Sequence, residues 1–214
     1  MRIAIMGGTF DPIHYGHLRS AEEVREGCGM DKVLFIPTAL TPHKPDELTP
    51  AETRLEMVRL ALAGNPGFEA SDVEIKRGGR SFTIDTVKEL TMPGVELSLI
   101  IGNDSFNSIT TWCEYESLLE LVNLIVVERP GYPAKKPGEA LPVALARKFW
   151  YDAPAELYRN SWDRTLIYAA TTVFDVSSTD IRRRAGAGES IRYLCPPAVV
   201  DYIREKGLYA SPVK

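Results

Sequence analysis

Two histidines stand three residues apart just behind a pair of glycines, in the run Gly7-Gly8-Thr9-Phe10-Asp11-Pro12-Ile13-His14-Tyr15-Gly16-His17. The run follows a strand-like apolar stretch and leads into a helical pattern covering about residues 15–25. Paired glycines let backbone N–H groups come close to an anion, and a helix start adds partial positive charge. His14 and His17 straddle that start, so both can project toward one point. Imidazole N–H groups there could hold phosphate oxygens and stabilise charge that develops in a transition state. Three other readings compete: a plain tight turn, a metal-binding pair, and a dinucleotide-binding loop. The run lacks Gly-x-Gly-x-x-Gly, and no Gly-Lys-Ser/Thr of the Walker type occurs. A metal would find no nearby cysteine and only one further histidine, His43. Phosphate binding leads; the turn stays open.

Three more segments carry chemistry. Pro42-His43-Lys44-Pro45 follows the second strand pattern, and with Pro37 its prolines hold an extended loop that loses little entropy on binding. Taken alone Lys44 is an ordinary surface lysine, yet all three histidines of the chain fall in these two loops. In Ser177-Ser178-Thr179-Asp180-Ile181-Arg182 the hydroxyls suit a helix N-cap, and a helix start suits an anion equally well. Arg182 lies about one turn in, close enough to reach back with bidentate geometry. Successive helical residues point about 100° apart, so Arg183 and Arg184 are taken as surface. Ile101-Gly102-Asn103-Asp104 ends a strand, where the Asp104 carboxylate can accept from ribose hydroxyls or cap the following helix. Trp112 precedes an amphipathic stretch with Leu118, Leu119 and Leu121, so it serves either as a stacking face or as core.

The segment from Gly8 to Pro12 followed by His14-Tyr15-Gly16-His17 resembles the signature of the nucleotidyltransferases with a His-x-Gly-His motif. Its Gly7-Gly8 and His14 are similar to the bacterial nicotinate-nucleotide adenylyltransferases, whereas the pantetheine-phosphate adenylyltransferase branch usually has Thr at that histidine. The resemblance covers nearly the whole chain. Pro42-His43-Lys44 resembles the family's Pro-His-Lys, Ser178-Thr179-x-Ile181-Arg182 its second ATP motif, and Thr111-Trp112-x-x-Tyr115-Glu116 its Thr-Trp-x-x-Tyr-Glu. Ser81-Phe82-Thr83 resembles its Ser-Tyr-Thr.

The resemblance implies an adenylyltransferase that moves AMP from ATP to nicotinate mononucleotide, giving nicotinate adenine dinucleotide and pyrophosphate in NAD biosynthesis. By the same likeness His14, His17, Lys44 and Arg182 carry catalysis. Gly7, Gly8, Thr9, Phe10, Gly102, Asp104, Ser178 and Thr179 complete the ATP site. Lys44, Thr83, Trp112 and Cys113 meet the mononucleotide, Trp112 by stacking on the pyridine. Cys113 stands where the family often has an aromatic residue, and Asn103 where it usually has a small one. Mg²⁺ is expected to arrive with ATP, and no resident metal is expected. Two alternatives remain: another acceptor such as nicotinamide mononucleotide, and a non-catalytic nucleotide-binding module.

The elements that must position these groups alternate short apolar runs with helical patterns. That predicts an α/β fold, a Rossmann-like doubly wound parallel sheet forming one domain over residues 1–214, with a surface connection near 129–142. Strands are expected at 2–6, 33–36, 97–101 and 124–127, with a less regular one at 68–75 and a last one at 172–176. Thr49-Pro50-Ala51-Glu52 reads as a capping box opening a helix to about Ala63, and 197–206 as a helix closed by Gly207. Ligands of such sheets bind beyond the carboxyl ends of the strands, where all these motifs fall.

Bulk properties narrow the class. The 214 residues are 44% hydrophobic and 25% charged, an ordinary globular composition. The formal net charge of −4 argues against a general electrostatic grip on nucleic acid. No apolar run reaches membrane-spanning length, and the first is too short for a signal peptide core. Cys28, Cys113 and Cys195 are too few and too scattered for a disulfide framework. A cytoplasmic enzyme is expected, binding ATP and nicotinate mononucleotide, with a homo-oligomer left open.

Overall fold

The computed structural model describes residues 1–41, 49–129 and 131–210. Its centre is β1 (Arg2–Gly8), whose residues alternate between two buried faces. On one side β1 pairs in parallel with β2 (Lys32–Pro37), which pairs with β3 (Phe68–Ala70). On the other it pairs in parallel with β4 (Glu96–Gly102), then β5 (Asn123–Val127). An antiparallel hairpin of β6 (Phe149–Asp152) and β7 (Leu157–Asn160) closes that edge, joined to β5 through β8 (Thr165–Ala169). The order is β3-β2-β1-β4-β5-β8-β7-β6. The order in which strands are added to the sheet reverses between β1 and β4, and that crevice is the ligand position of doubly wound folds.

Helices cover both faces, which is why the central strands read as continuous apolar runs. Ala4, Met6, Val33 and Phe35 face α1 (Tyr15–Gly27), α2 (Ala51–Leu62), α9 (Ser178–Gly186) and α10 (Pro197–Glu205). Ile3, Ile5, Leu99 and Val126 face α4 (Thr83–Leu90), α5 (Asn103–Asn107), α6 (Tyr115–Leu121) and α8 (Val143–Ala146). Two short helices, α3 (Val73–Arg77) and α7 (Pro137–Ala140), lie in connections. No helix among the described residues is long and apolar enough to cross a membrane.

The expected strands at 2–6, 33–36, 97–101 and 124–127 form, each slightly extended. Three expectations are corrected. Residues 172–176 are not a strand: Val173 and Phe174 are exposed, and Thr172 bonds Glu23 on α1 instead of a neighbouring strand. The last parallel strand is β8, whose Leu166 is buried opposite Leu124. The 68–75 strand stops at Ala70 and gives way to α3. The capping box at Thr49 does not form. Pro50 takes the N-cap of α2, and the Thr49 backbone is drawn away, its N–H to Asp11 Oδ2 at 3.2 Å and its carbonyl to Arg54 Nε at 2.8 Å.

Candidate active site

The β1 strand ends in Gly7-Gly8, and the two glycines do different work. A Cβ on Gly8 would meet the Phe10 ring at 3.3 Å, because Phe10 folds back under the strand end with φ +48° and is fully buried. A Cβ on Gly7 would meet nothing, so the space beside it is open to a ligand. Beyond Phe10 the chain passes through a cis Asp11–Pro12 peptide. Asp11 is buried and fully engaged: Oδ1 accepts from the Tyr209 hydroxyl at 2.6 Å and Oδ2 from the Thr49 N–H. The loop carbonyls are also held, Thr9 by buried Arg54 at 2.7 Å.

His14 takes the N-cap position of α1, and its ring stacks on that of His17 with centroids 3.7 Å apart. Gly16 between them lets the rings sit close, since a Cβ there would stand 3.0 Å from His14 Nδ1 and press on that ring. The His14 backbone N–H donates to His17 Nδ1 at 3.3 Å, which places the His17 proton on Nε2. Burial pushes the His14 imidazole down to about 4, and the positive charge of Arg129 adds to the shift. His17 lies well below its ordinary value through burial first, then His14 and Arg129. Both rings are therefore neutral at pH 7 and present N–H donors without a charge of their own.

That neutrality sets a pH dependence. A histidine with a lowered folded pKa leaves the unfolded chain binding more protons, so its stabilisation is complete above pH 6.5 and is lost as pH falls toward 4. The His14 share alone is roughly 3 kcal/mol, and His17 carries the loss further down. Denaturant unfolding of the ligand-free protein is expected to show a steep fall in stability from pH 6.5 to 4.5. His14→Gln should flatten it, and an unchanged slope in that variant would assign the fall to other groups.

The second motif docks on the first loop. Ser177 caps α9 by accepting from the Asp180 N–H at 3.2 Å, as its position after an extended segment predicts. Ser178 Oγ donates to the Pro12 carbonyl at 2.9 Å, and Arg182 Nη1 to the Asp11 carbonyl at 2.8 Å. Arg182 Nη2 reaches Thr179 Oγ1 at 3.5 Å. These bonds engage two of the five guanidinium donors and hold the group beside the histidine loop. Arg183 and Arg184 turn away to Asp180 and Glu189 on the surface.

At the end of β4 a Cβ on Gly102 would run into the Asp104 carboxylate. Asp104 Oδ2 accepts from Arg129 Nη1 at 2.7 Å, while its Oδ1 is buried without a partner among the described residues. Asn103 is buried, and its amide bonds the segment after β5. Thr83 is the first residue of α4, behind Phe82 at the N-cap. Trp112 and Phe82 pack against the same apolar cluster, so Trp112 has a core side and a half-exposed remainder. Cys113 is exposed. Lys44 and His43 lie outside the described residues.

Three residues of the site escaped the sequence reading. Arg129 was placed in a surface connection, yet its charge acts on both histidines. Its position just past the carboxyl end of β5 was the available signal. Arg54 and Tyr209 hold the loops through Thr9, Thr49 and Asp11; an arginine directly before Leu55, Met57 and Val58 of α2 was the hint for the first.

Residues 5–184 match the family model described as cytidylyltransferase-like. A protein of Citrifermentans bemidjiense called probable nicotinate-nucleotide adenylyltransferase is 53% identical over 216 residues, covering 99% of both chains. One of Geobacter sp. strain M21 with the same name is 51% identical, with the same coverage. Among solved structures, Plasmodium falciparum nicotinic acid mononucleotide adenylyltransferase complexed with NaAD superposes with a TM-score of 0.71 at 20% identity, covering 97% of both chains. At that identity the likeness is one of fold.

Proposed function

The chain belongs to the cytidylyltransferase-like family, and from that membership we propose that it transfers AMP from ATP to nicotinate mononucleotide, forming nicotinate adenine dinucleotide and pyrophosphate. The observation that carries the reading is the stacked, neutral His14–His17 pair at a helix start, beside the open Gly7 backbone and the β1/β4 crevice. Close full-length relatives of that name support the choice of acceptor.

The nucleophile is an oxygen of the mononucleotide phosphate, whose second pKa of about 6 leaves it largely dianionic at neutral pH. It bonds to the α-phosphorus as the bond to the β-bridging oxygen breaks and pyrophosphate departs with that electron pair. No proton has to be removed, so no general base is required. Catalysis consists of aligning two anions and neutralising charge as it shifts to the leaving group. His17 Nε2–H and His14 serve the α- and β-phosphates, and Arg182 and Lys44 hold the polyphosphate. Arg129 adds positive charge to the site from its pair with the Asp104 carboxylate at the end of β4. MgATP is the substrate in this reading, its magnesium arriving on the phosphates and keeping several waters.

Selectivity for the carboxylate over the amide has to come from donors, because stacking on Trp112 treats both pyridines alike. Facing the amide NH₂ with a buried donor costs about 1–3 kcal/mol, so a preference of about tenfold to a hundredfold is expected. Pyrophosphate release measured with MgATP and a panel of mononucleotides tests the assignment. Thr83→Val should erode the preference while leaving turnover with the amide substrate nearly intact. Folded protein that binds ATP but releases no pyrophosphate with any acceptor would leave a binding module. Equal kcat/KM for the two pyridine nucleotides would remove the acceptor assignment.

A further inference from the structure

Asn103 and Asn107 stand one helical turn apart on α5, and each clips the backbone that follows Arg129. Asn103 Oδ1 accepts from the Arg129 N–H at 3.1 Å and from the Asp104 N–H at 2.9 Å, and its Nδ2 donates to the Tyr132 carbonyl at 2.6 Å. Asn107 repeats the pattern, Nδ2 donating to the Pro133 carbonyl at 2.9 Å and Oδ1 accepting from the Lys135 N–H at 3.0 Å. A third anchor comes from β8, where the Tyr168 hydroxyl donates to the Lys135 carbonyl at 2.6 Å.

Both amides thus use acceptor and donor on one stretch of main chain, a pattern that fixes register as well as distance. The stretch begins at Arg129, whose guanidinium is tied to Asp104 and whose charge reaches both histidines. Its far part, at Tyr132 and Pro133, lines a cavity of about 280 Å³ at the carboxyl ends of β5 and β8, together with Asn103 and Tyr168. Asn103 is fully buried, whereas a purely solvating asparagine would be exposed. Arg129 itself is more than half exposed, so little other than this backbone fixes where its side chain starts.

We propose that Asn103 and Asn107 are positioning residues that act through Arg129: they fix the backbone from which its guanidinium reaches Asp104. The proposal rests on the adenylyltransferase reading for the consequence on turnover, but the clip itself does not.

The experiment is a double-mutant cycle with Asn107→Ala and Arg129→Ala, run with MgATP and nicotinate mononucleotide. Asn107 is chosen because it is only half-buried, and Asn103→Ala is the second, more disruptive variant. Asn107→Ala is expected to lower kcat/KM about tenfold, mainly through KM, and to change it less than about twofold when Arg129 is already alanine. Exchange of the Arg129 and Lys135 amides should quicken in Asn103→Ala and Asn107→Ala respectively. Effects that multiply in the double variant would overturn the coupling and leave a structural role, as would a loss confined to kcat alongside a lowered Tm. Unchanged amide exchange would overturn the clip. If the unaltered enzyme releases no pyrophosphate with any mononucleotide, the functional reading falls. The cycle is then read as the Kd of a non-hydrolysable ATP analogue, with the same two outcomes.

Discussion

His17→Ala is expected to lower turnover on the order of 10²-fold or more while weakening ATP binding far less, because the lost N–H is worth most when charge moves to the leaving group. The geometry makes His17 the better test of the pair. Its Nδ1 is taken by the His14 N–H, so Nε2–H is the only donor it has for a substrate. Its ring is stacked on that of His14 and lies nearly perpendicular to that of Phe10, with centroids 5.2 Å apart. Alanine removes that packing too, and His17→Gln serves as the control, filling part of the space with a donor in a different place. Turnover from pyrophosphate release, a Kd for an ATP analogue and a Tm should be measured together. Near-normal turnover in His17→Ala would take His17 out of the mechanism. A loss that tracks Kd or Tm would make its role one of binding or packing.

The placement of the site's side chains was legible where one residue type at one spacing has few uses. His14 and His17 are expected from their spacing to project toward one point, and their rings do stack, His14 at the extended N-cap and His17 in the first turn of α1. Central strands were equally legible, since burial on both faces leaves continuous apolar runs. The edge was not. The β6–β7 hairpin has short strands with exposed aromatics, held in part by an Asp152–Arg159 pair at 2.7 Å, and lacks the continuous apolar run of a strand buried on both faces. Residues 172–176 show the converse. Their alternation of Thr172, Val173, Phe174 and Val176 mimics a strand, but the place beside β5 is filled by β8. Arg129 was missed for a related reason: its pair with Asp104 depends on β4 and β5 lying side by side.

Arg54→Leu is expected to cost about 3–5 kcal/mol or more of stability, among the largest effects of any single substitution in the described core. The guanidinium is 1% exposed and donates to four carbonyls: Thr9 and Thr49 at 2.7 and 2.8 Å, Thr38 at 2.6 Å and Ala39 at 3.2 Å. Burial lowers its pKa, and nearby Asp11 is the first of the charges that oppose the shift. Leucine would match its buried stem and leave those acceptors to find water in a closed space, at about 1–3 kcal/mol for each that fails. The same four bonds join the loop after β1 to the loop after β2, so the arginine sets the spacing of the two segments on which phosphate binding is proposed. Arg54→Lys keeps the charge but concentrates it at one atom with at most three donors, so it cannot span all four acceptors. It should therefore fold with an intermediate loss of stability and show a raised KM for ATP. Urea unfolding of both variants, with ATP kinetics on Arg54→Lys, checks this. Leucine at wild-type stability would mean that water replaces the guanidinium freely, and an unchanged KM in the lysine variant would detach the arginine from the spacing of the phosphate loops.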